Sequence, residues 1–419
     1  MQNGIKYKQF KLNGSSGYDY LFENGICYNY YKKILFIPEE LLKSQNKNEN
    51  IIENMKKSSG LINSGHSCFI NAILQCFINC PPLTNYFLTK YKKTNYNSFS
   101  DMYYDFIIKY QQKDLYAARD IVNYFFSNDS TIKFTGSDSK DVLSEFFDKI
   151  QSELKRAEVS MTMLVSTNPE NEIDVINERI KLDNEDYSII NECFNFWIES
   201  EQKCLYKFCK KYSRSLYEIR SESYFEFYLN EINNKRYSYY SSSVSKNRVG
   251  YNKLTLEECF YYYLIEKGNC SNCRSTIDVR NKICKLPNIL IIVLNRGKNN
   301  QYNINIDFNQ ELNLEQYYQK LKYHNSHVNN EICPKYNLLC GTILEKSHQN
   351  PGKGHTIAFA RDSNGKYIIF DDSQILNDVD FEIIKNKEVY ILFYQMNKKN
   401  NNKTSGINNT KNTNKKYYY

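Results

Sequence analysis

Thirteen cysteines and five histidines are spread over 419 residues, and a few of them are placed where they could do chemistry. Cys68 follows Gly65-His66-Ser67 and opens the segment CFINAILQCFIN. A thiol becomes a nucleophile as its thiolate, and the first turn of a helix stabilises that form with oriented N–H groups and the positive end of the backbone dipole. Such a nucleophile also needs an imidazole within hydrogen-bond reach and a third group that fixes the ring. His324, His327 and His348 fall in polar, loop-like sequence, and His66 is too close along the backbone to serve as the base. His355 differs: it opens the apolar run HTIAFA, which DSNG separates from a second run, YIIF, ending in Asp371-Asp372. Two such runs about a turn read as a β-hairpin. Pairing Arg361 with Lys366 sets His355 opposite Asp372, and a shift of one residue sets it opposite Asp371. The hairpin thus supplies a His–Asp pair without naming the aspartate. A second constellation is Cys204 with Cys209 and Cys270 with Cys273, two thiol pairs about sixty residues apart, which suit a tetrahedral zinc site.

The elements that must carry these residues follow from the apolar patterns. Phe69, Ile70, Ile73, Leu74, Phe77 and Ile78 recur at helical spacing until Pro81-Pro82 stops them, so Cys68 starts a buried helix. A second helix over 139–154 puts Val142, Phe146, Ile150 and Leu154 on one side and Asp141, Glu145 and Asp148 on another. Further on, LPNILIIVL (286–294), YNLLCGTIL (336–344), HTIAFA (355–360), YIIF (367–370) and EVYILFY (388–394) read as strands. Helices first and strands later predict an α+β domain. Residues 1–58 read as an N-terminal extension ending in a polar linker, and 396–419 as a disordered basic tail.

The segment GLINSGHSCFINAILQ closely resembles the cysteine box of ubiquitin-specific proteases, GLxNxGNTCYxNxxLQ, matching at Gly60, Leu61, Asn63, Gly65, Cys68, Asn71, Leu74 and Gln75. The resemblance implies Cys68 as nucleophile and Asn63 as the oxyanion-stabilising amide. His355 and its hairpin are similar to the family's GHYxxY…W/YxxFDDxxV, which implies Asp371 as the orienting carboxylate and Asp372 as a helper near the oxyanion. Thr356 stands where the family has tyrosine. GSDSKDVLSEFFDKI resembles the second box, QQDAxEFLxxLLD, with Asp141, Glu145, Phe146 and Asp148 in place and Ser139-Lys140 for Gln-Gln. Asp141 and Glu145 are then the expected partners for the arginines of ubiquitin's basic tail. KLPNILIIVLNRG looks like LPxxLxxxLKRF, with LNRG in place of LKRF. The family also implies that Cys204, Cys209, Cys270 and Cys273 hold a structural zinc in a ribbon, although the first pair is CxxxxC instead of CxxC. The implied fold is the papain-like one of this family: a helical thumb (60–190), zinc-ribbon-like fingers (190–285) and a β palm (286–395), within a catalytic domain at 59–395.

The implied function is thiol-dependent deubiquitination without a catalytic cofactor, with ubiquitin and ubiquitinated proteins as partners. The alternatives are a ubiquitin-binding pseudoenzyme, to which Thr356 and the altered ribbon point, or a protease for another ubiquitin-like modifier. Composition narrows the rest. Of the formal charge of +8, six units come from Lys398, Lys399, Lys403, Lys411, Lys415 and Lys416 in the tail, so nucleic-acid binding has no support in the domain itself. No run is long and apolar enough for a membrane span, and the N-terminus lacks the apolar core of a signal peptide. A cytoplasmic or nuclear monomer with reduced thiols is expected.

Overall fold

The computed structural model describes residues 58–94, 98–127, 130, 132, 138–155, 172–206, 209, 216–241, 253–270, 273–297, 304–319, 333–346 and 354–397, together with the backbone of four N-terminal strands. The tail from 398, the centre of the insertion (156–171) and His324, His327 and His348 lie outside the described residues. The four strands β1 (Tyr7–Lys11), β2 (Leu21–Glu23), β3 (Ile26–Asn29) and β4 (Ile34–Pro38) form an antiparallel sheet of order β1-β4-β3-β2. The N-terminal extension therefore carries a sheet of its own.

Among the described residues the next elements are helical: α1 (Cys68–Ile78), α2 (Pro81–Thr89), α3 (Phe99–Gln111), α4 (Arg119–Phe125), α5 (Ser139–Glu153), α6 (Glu172–Glu185) and α7 (Ile189–Phe194). There follow β5 (Phe196–Cys204), β6 (Leu216–Glu222), β7 (Phe225–Tyr228), α8 (Leu229–Ser241), β8 (Lys253–Thr255), α9 (Leu256–Leu264), β9 (Ile265–Asn269) and β10 (Thr276–Lys285). The chain then runs through β11 (Ile289–Asn295), β12 (Asn305–Asp307), β13 (Glu311–Leu312), β14 (Tyr336–Lys346), β15 (Gly354–Arg361), β16 (Tyr367–Asp371), β17 (Gln374–Val379), α10 (Phe381–Lys385) and β18 (Val389–Met396).

The large sheet has the order β17-β16-β15-β14-β18-β11-β7, with β13 beside β14, and its strands are antiparallel except for β7 against β11. Its central strands β11, β14, β15 and β18 are buried on both faces, which is why they read as apolar runs, whereas the edge strand β17 is mostly exposed. In β11, Ile289, Ile291 and Val293 enter the core beneath the N-terminal helices, while Leu290, Ile292 and Leu294 enter a second core on the other face. A smaller antiparallel sheet of order β6-β5-β10-β9 carries the cysteine pairs.

Ten of the eleven residues of helix α1 are buried, the polar Asn71 and Gln75 among them as hydrogen-bonded side chains on one stripe. It packs against α5 on one flank and against β14 and β15 on the other. Strand β15 gives only Ala358 and Ala360 to that core, and such small side chains let a helix lie close. Pro81-Pro82 ends α1 as the spacing predicted, and also opens α2, because the first turn of a helix has no acceptor for the missing N–H.

Candidate active site

The approach to α1 explains how Cys68 is presented. Gly65 (φ 70°) and His66 (φ 67°) are both left-handed, which turns the chain back so that Asn63 lies over Ser67. Asn63 Oδ1 accepts from the Ser67 backbone N–H at 3.0 Å. Since that N–H can only donate, the oxygen of the amide must face it and Nδ2 faces the other way. Cys68 is the first residue of α1 and partly exposed, and the N–H groups of that first turn have no intrahelical acceptor.

The imidazole comes from the opposite wall. Strand β15 begins beside His355, whose Nε2 lies 2.5 Å from Asp371 Oδ1. The Cys68 thiol contacts the same ring, and Nδ1 is the nitrogen left for it. The register differs from both expected hairpins. Arg361 pairs with Tyr367, not Lys366, and Ala358 pairs with Phe370. The Asp362 side chain accepts from the Asn364 and Lys366 N–H groups, and Gly365 takes φ 84°, so the turn holds five residues where four were expected. Extending this register sets Asp371 opposite Ile357, on the same face as His355 and diagonal to it, and turns Asp372 to the other face. Cys68 foremost, and then Asp371, raise the His355 imidazole to about 9 against the opposing effect of its partial burial.

Asp372 has a different task. It sits at φ 49° in the two-residue turn between β16 and β17. Its Oδ2 accepts from Asn63 Nδ2 and its Oδ1 from Asn71 Nδ2, each at 2.8 Å, while its carbonyl accepts from the Leu61 N–H at 2.8 Å. A Cβ on Gly60 would stand 2.5 Å from the Ser373 carbonyl oxygen, so only glycine allows the segment and the turn to lie together. Behind them, Gln75 Nε2 donates to the Ser59 carbonyl at 2.8 Å, and Tyr110 donates to Gln75 Oε1 at 2.7 Å.

At the first turn of α5 the arrangement departs from expectation. Asp138 is the N-cap: its Oδ1 accepts from the Lys140 N–H at 2.8 Å, and Asp141 Oδ2 accepts from the Asp138 N–H at 3.0 Å. These two acids have the three-residue spacing of the second box, which Asp141 and Glu145, four apart, do not. Glu145 is only 6% exposed, out of reach of an incoming chain, and Phe146 is fully buried. Asp138 also accepts from Tyr390 at 2.8 Å, and burial raises its carboxyl above the usual range. Sequence reasoning passed over it, although acids three apart before an apolar helix are a capping signature. Ser139 Oγ donates to the Phe69 carbonyl at 3.2 Å, which ties this turn to the residue next to Cys68.

Cys204, Cys209, Cys270 and Cys273 come together at the end of the small sheet, their sulfurs all within 4.8 Å of one another. Cys204 and Cys273 are 3.5 Å apart, Cys209 and Cys270 3.6 Å. Tetrahedral zinc with bonds of about 2.3 Å separates its sulfurs by about 3.8 Å, whereas a disulfide needs about 2.05 Å, so the donor set fits a metal. The wider CxxxxC loop closes through the Cys209 N–H to the Tyr206 carbonyl, and Arg274 at φ 59° tightens the second pair. Hydrogen bonds from Ser275 hold the Cys273 thiol below its usual range, which favours the thiolate form that binds zinc. The other nearby thiols are committed elsewhere: Cys193, Cys259 and Cys284 lie in three separate apolar cores.

Two measurements probe this geometry. The His355 stabilisation is fully present below the ordinary value of 6.5 and is lost as pH rises through about 9. Activity should therefore fall on the alkaline side near 9, and Asp371→Asn should move that limb down toward 6.5 in a kcat/KM profile. Asp372→Asn replaces an acceptor of two amides by a group that can face only one of them. Turnover is expected to fall about tenfold to a hundredfold, while the alkaline limb set by His355 stays in place.

Residues 59–394 match the family described as ubiquitin carboxyl-terminal hydrolase. The chain is 25% identical over 391 residues to probable ubiquitin carboxyl-terminal hydrolase 16 of Schizosaccharomyces pombe, spanning 91% of this chain and 74% of that protein. It is 24% identical over 424 residues to ubiquitin carboxyl-terminal hydrolase 8 of Saccharomyces cerevisiae, spanning 93% and 82%. Among solved structures, the Ubp8/Sgf11/Sus1/Sgf73 module bound to ubiquitin aldehyde shares the fold with a TM-score of 0.57 at 17% identity, over 90% of this chain and 80% of that one. With the family match spanning all but the ends of the sequence, the chain belongs to the ubiquitin carboxyl-terminal hydrolases, the cysteine-type deubiquitinases that cut at the C-terminal end of ubiquitin.

Proposed function

We propose that Cys68 is the nucleophile that hydrolyses the isopeptide or peptide bond at the C-terminal glycine of ubiquitin. The observation that carries this reading is the placement of His355 between the Cys68 thiol and the Asp371 carboxylate. Cys68 Sγ adds to the glycine carbonyl carbon, and the oxyanion is met by Asn63 Nδ2–H and the Cys68 backbone N–H. Asp372 positions Asn63 for that role through the 2.8 Å hydrogen bond. The C–N bond breaks as His355 gives its proton to the leaving amine, which leaves a thioester. Water then adds to the thioester carbonyl while His355 takes its proton, and the carboxylate product leaves as Cys68 is regenerated. Asp138 and Asp141, in the first turn of α5 beside Phe69, are the carboxylates offered to the basic tail of ubiquitin.

The four cysteines would hold a structural zinc, which would fix the tip of a sheet whose local core consists of little beyond Ile277, Val279 and the cysteines themselves. The thumb at 60–190 would take in the helices α1–α6, the fingers at 190–285 the small sheet together with β7, and the palm at 286–395 the other strands of the large sheet. Cytoplasmic or nuclear work suits a protein whose twelve described cysteines are all free, and no described helix is long and apolar enough to cross a membrane.

An electrophilic ubiquitin probe tests the mechanism. The full chain should be labelled at Cys68, and Cys68→Ser and His355→Ala should each reduce labelling by at least about a hundredfold. Ubiquitin bound without labelling of the wild type would identify a pseudoenzyme. Native mass measurement should find one zinc, lost with Cys273→Ser together with a lower unfolding temperature and not with Cys284→Ser; a metal-free wild type would refute the zinc assignment.

A further inference from the structure

Lys140 in the first turn of α5 and Asn295, which stands at the lysine position of LKRF, meet at one carboxylate. Glu226 of β7 accepts from Asn295 Nδ2 at 2.8 Å through Oε1, and its Oε2 lies 3.6 Å from Lys140 Nζ. Asn295 brings no charge, so among the described residues Lys140 is the cation paired with Glu226. Both side chains are partly covered, at 28% and 16% exposure, so solvent and salt screen the pair only in part. One turn along α5, the Ser144 and Tyr224 hydroxyls are 3.0 Å apart. Together the two contacts clasp α5 to the segment 224–228. The clasp lies beside the nucleophile, because Ser139, next to Lys140, is hydrogen-bonded to the carbonyl of Phe69. Asp141 lies within electrostatic range of the Lys140 ammonium, and Asp138 and Asp141 both act on the nearby Tyr390. Two carboxylates, Glu226 and Asp141, thus share one built-in cation.

We propose that Lys140 is a charge gate for the basic tail of ubiquitin: in the free enzyme it neutralises Glu226 and offsets Asp141, and an incoming arginine must displace it. The assignment rests on the deubiquitinase reading and adds to it the residue that sets how firmly the tail is held. An arginine that takes Lys140's place exchanges one ion pair for another, so the acids beside Cys68 contribute less to affinity than their number suggests. Removing the lysine charge leaves Glu226 and Asp141 to the tail.

The test measures binding of labelled ubiquitin to the full chain carrying Cys68→Ala, at about 50 mM and about 500 mM salt. Lys140→Gln is expected to bind about threefold to tenfold tighter at the lower salt, with the gap closing at the higher, while Lys140→Arg behaves as the parent. Ubiquitin shortened by its basic tail should show no gap. With Cys68 intact, the gain of Lys140→Gln should appear in KM for a fluorogenic ubiquitin amide and not in kcat. Equal or weaker binding by Lys140→Gln, or a gap that persists with tailless ubiquitin, would overturn the gate and leave Lys140 as a clasp between α5 and β7. Absence of turnover in the parent, with the binding gap intact, would support the gate and count against the catalytic reading alone.

Discussion

The Asp372 carboxylate is the joint on which the site is assembled. It accepts from Asn63 on the segment before the nucleophile and from Asn71 one turn into α1, and its own carbonyl holds Leu61. A charged acceptor makes such hydrogen bonds roughly twice as strong as neutral ones. Side chain and carbonyl can both turn to the same segment because the residue sits at φ 49°, a conformation aspartate tolerates better than most. Gly60 completes the fit by carrying no Cβ against Ser373. Without this joint, the wall bearing Cys68 and the wall bearing His355 would be tied mainly by apolar packing, which is strong but has little directional preference.

That packing sets the distance between the walls. Helix α1 is wedged between α5 and the large sheet, with Phe77 ringed by Phe146, Phe147 and Phe393. Strand β15 reaches one core through Ala358 and Ala360 and the other through Ile357 and Phe359. His355 lies at the open end of that strand and is half-exposed, yet it inherits the rigidity of residues gripped on both faces. The site thus combines a partly exposed His355 with an anchor in a strand packed on both faces, a pairing that loops alone seldom provide.

How much of this was legible in the sequence depended on which interaction decided each feature. Helix α1 and the five strand runs were read correctly because burial leaves a dense apolar signature, interrupted in α1 only by Asn71 and Gln75. Cys68, His355 and the choice of Asp371 came from motif resemblance, and only the parity of the observed register gives a geometric reason for that choice. The register itself was misjudged by one pairing, since the Asp362 side chain stabilises a turn longer than DSNG suggests. At α5 the acids were assigned by resemblance to positions four apart, whereas the three-residue spacing of the second box falls at the N-cap pair Asp138 and Asp141, and Glu145 is taken up by the core. The cysteine cluster was legible by pairs, but nothing in their spacing excluded Cys193, Cys259 or Cys284; the fold does so, with Cys193 on α7, Cys259 on α9 and Cys284 on β10 each turned into a different apolar core.

The hydrogen bond from Asn63 to Asp372 spans 309 residues of sequence, and that from Asn71 spans 301. During synthesis the chain therefore exposes Cys68, the proposed nucleophile, long before Asp371 and Asp372, which hold His355 and Asn63, have left the ribosome. A nascent or truncated product ending before β16 carries the reactive thiol without His355 held by Asp371, and so lacks the proton transfers that cleavage requires. On the proposed mechanism, proteolytic activity is thus a property that the polypeptide gains only once β16 has been made, and a shorter product cannot cut the conjugates around it.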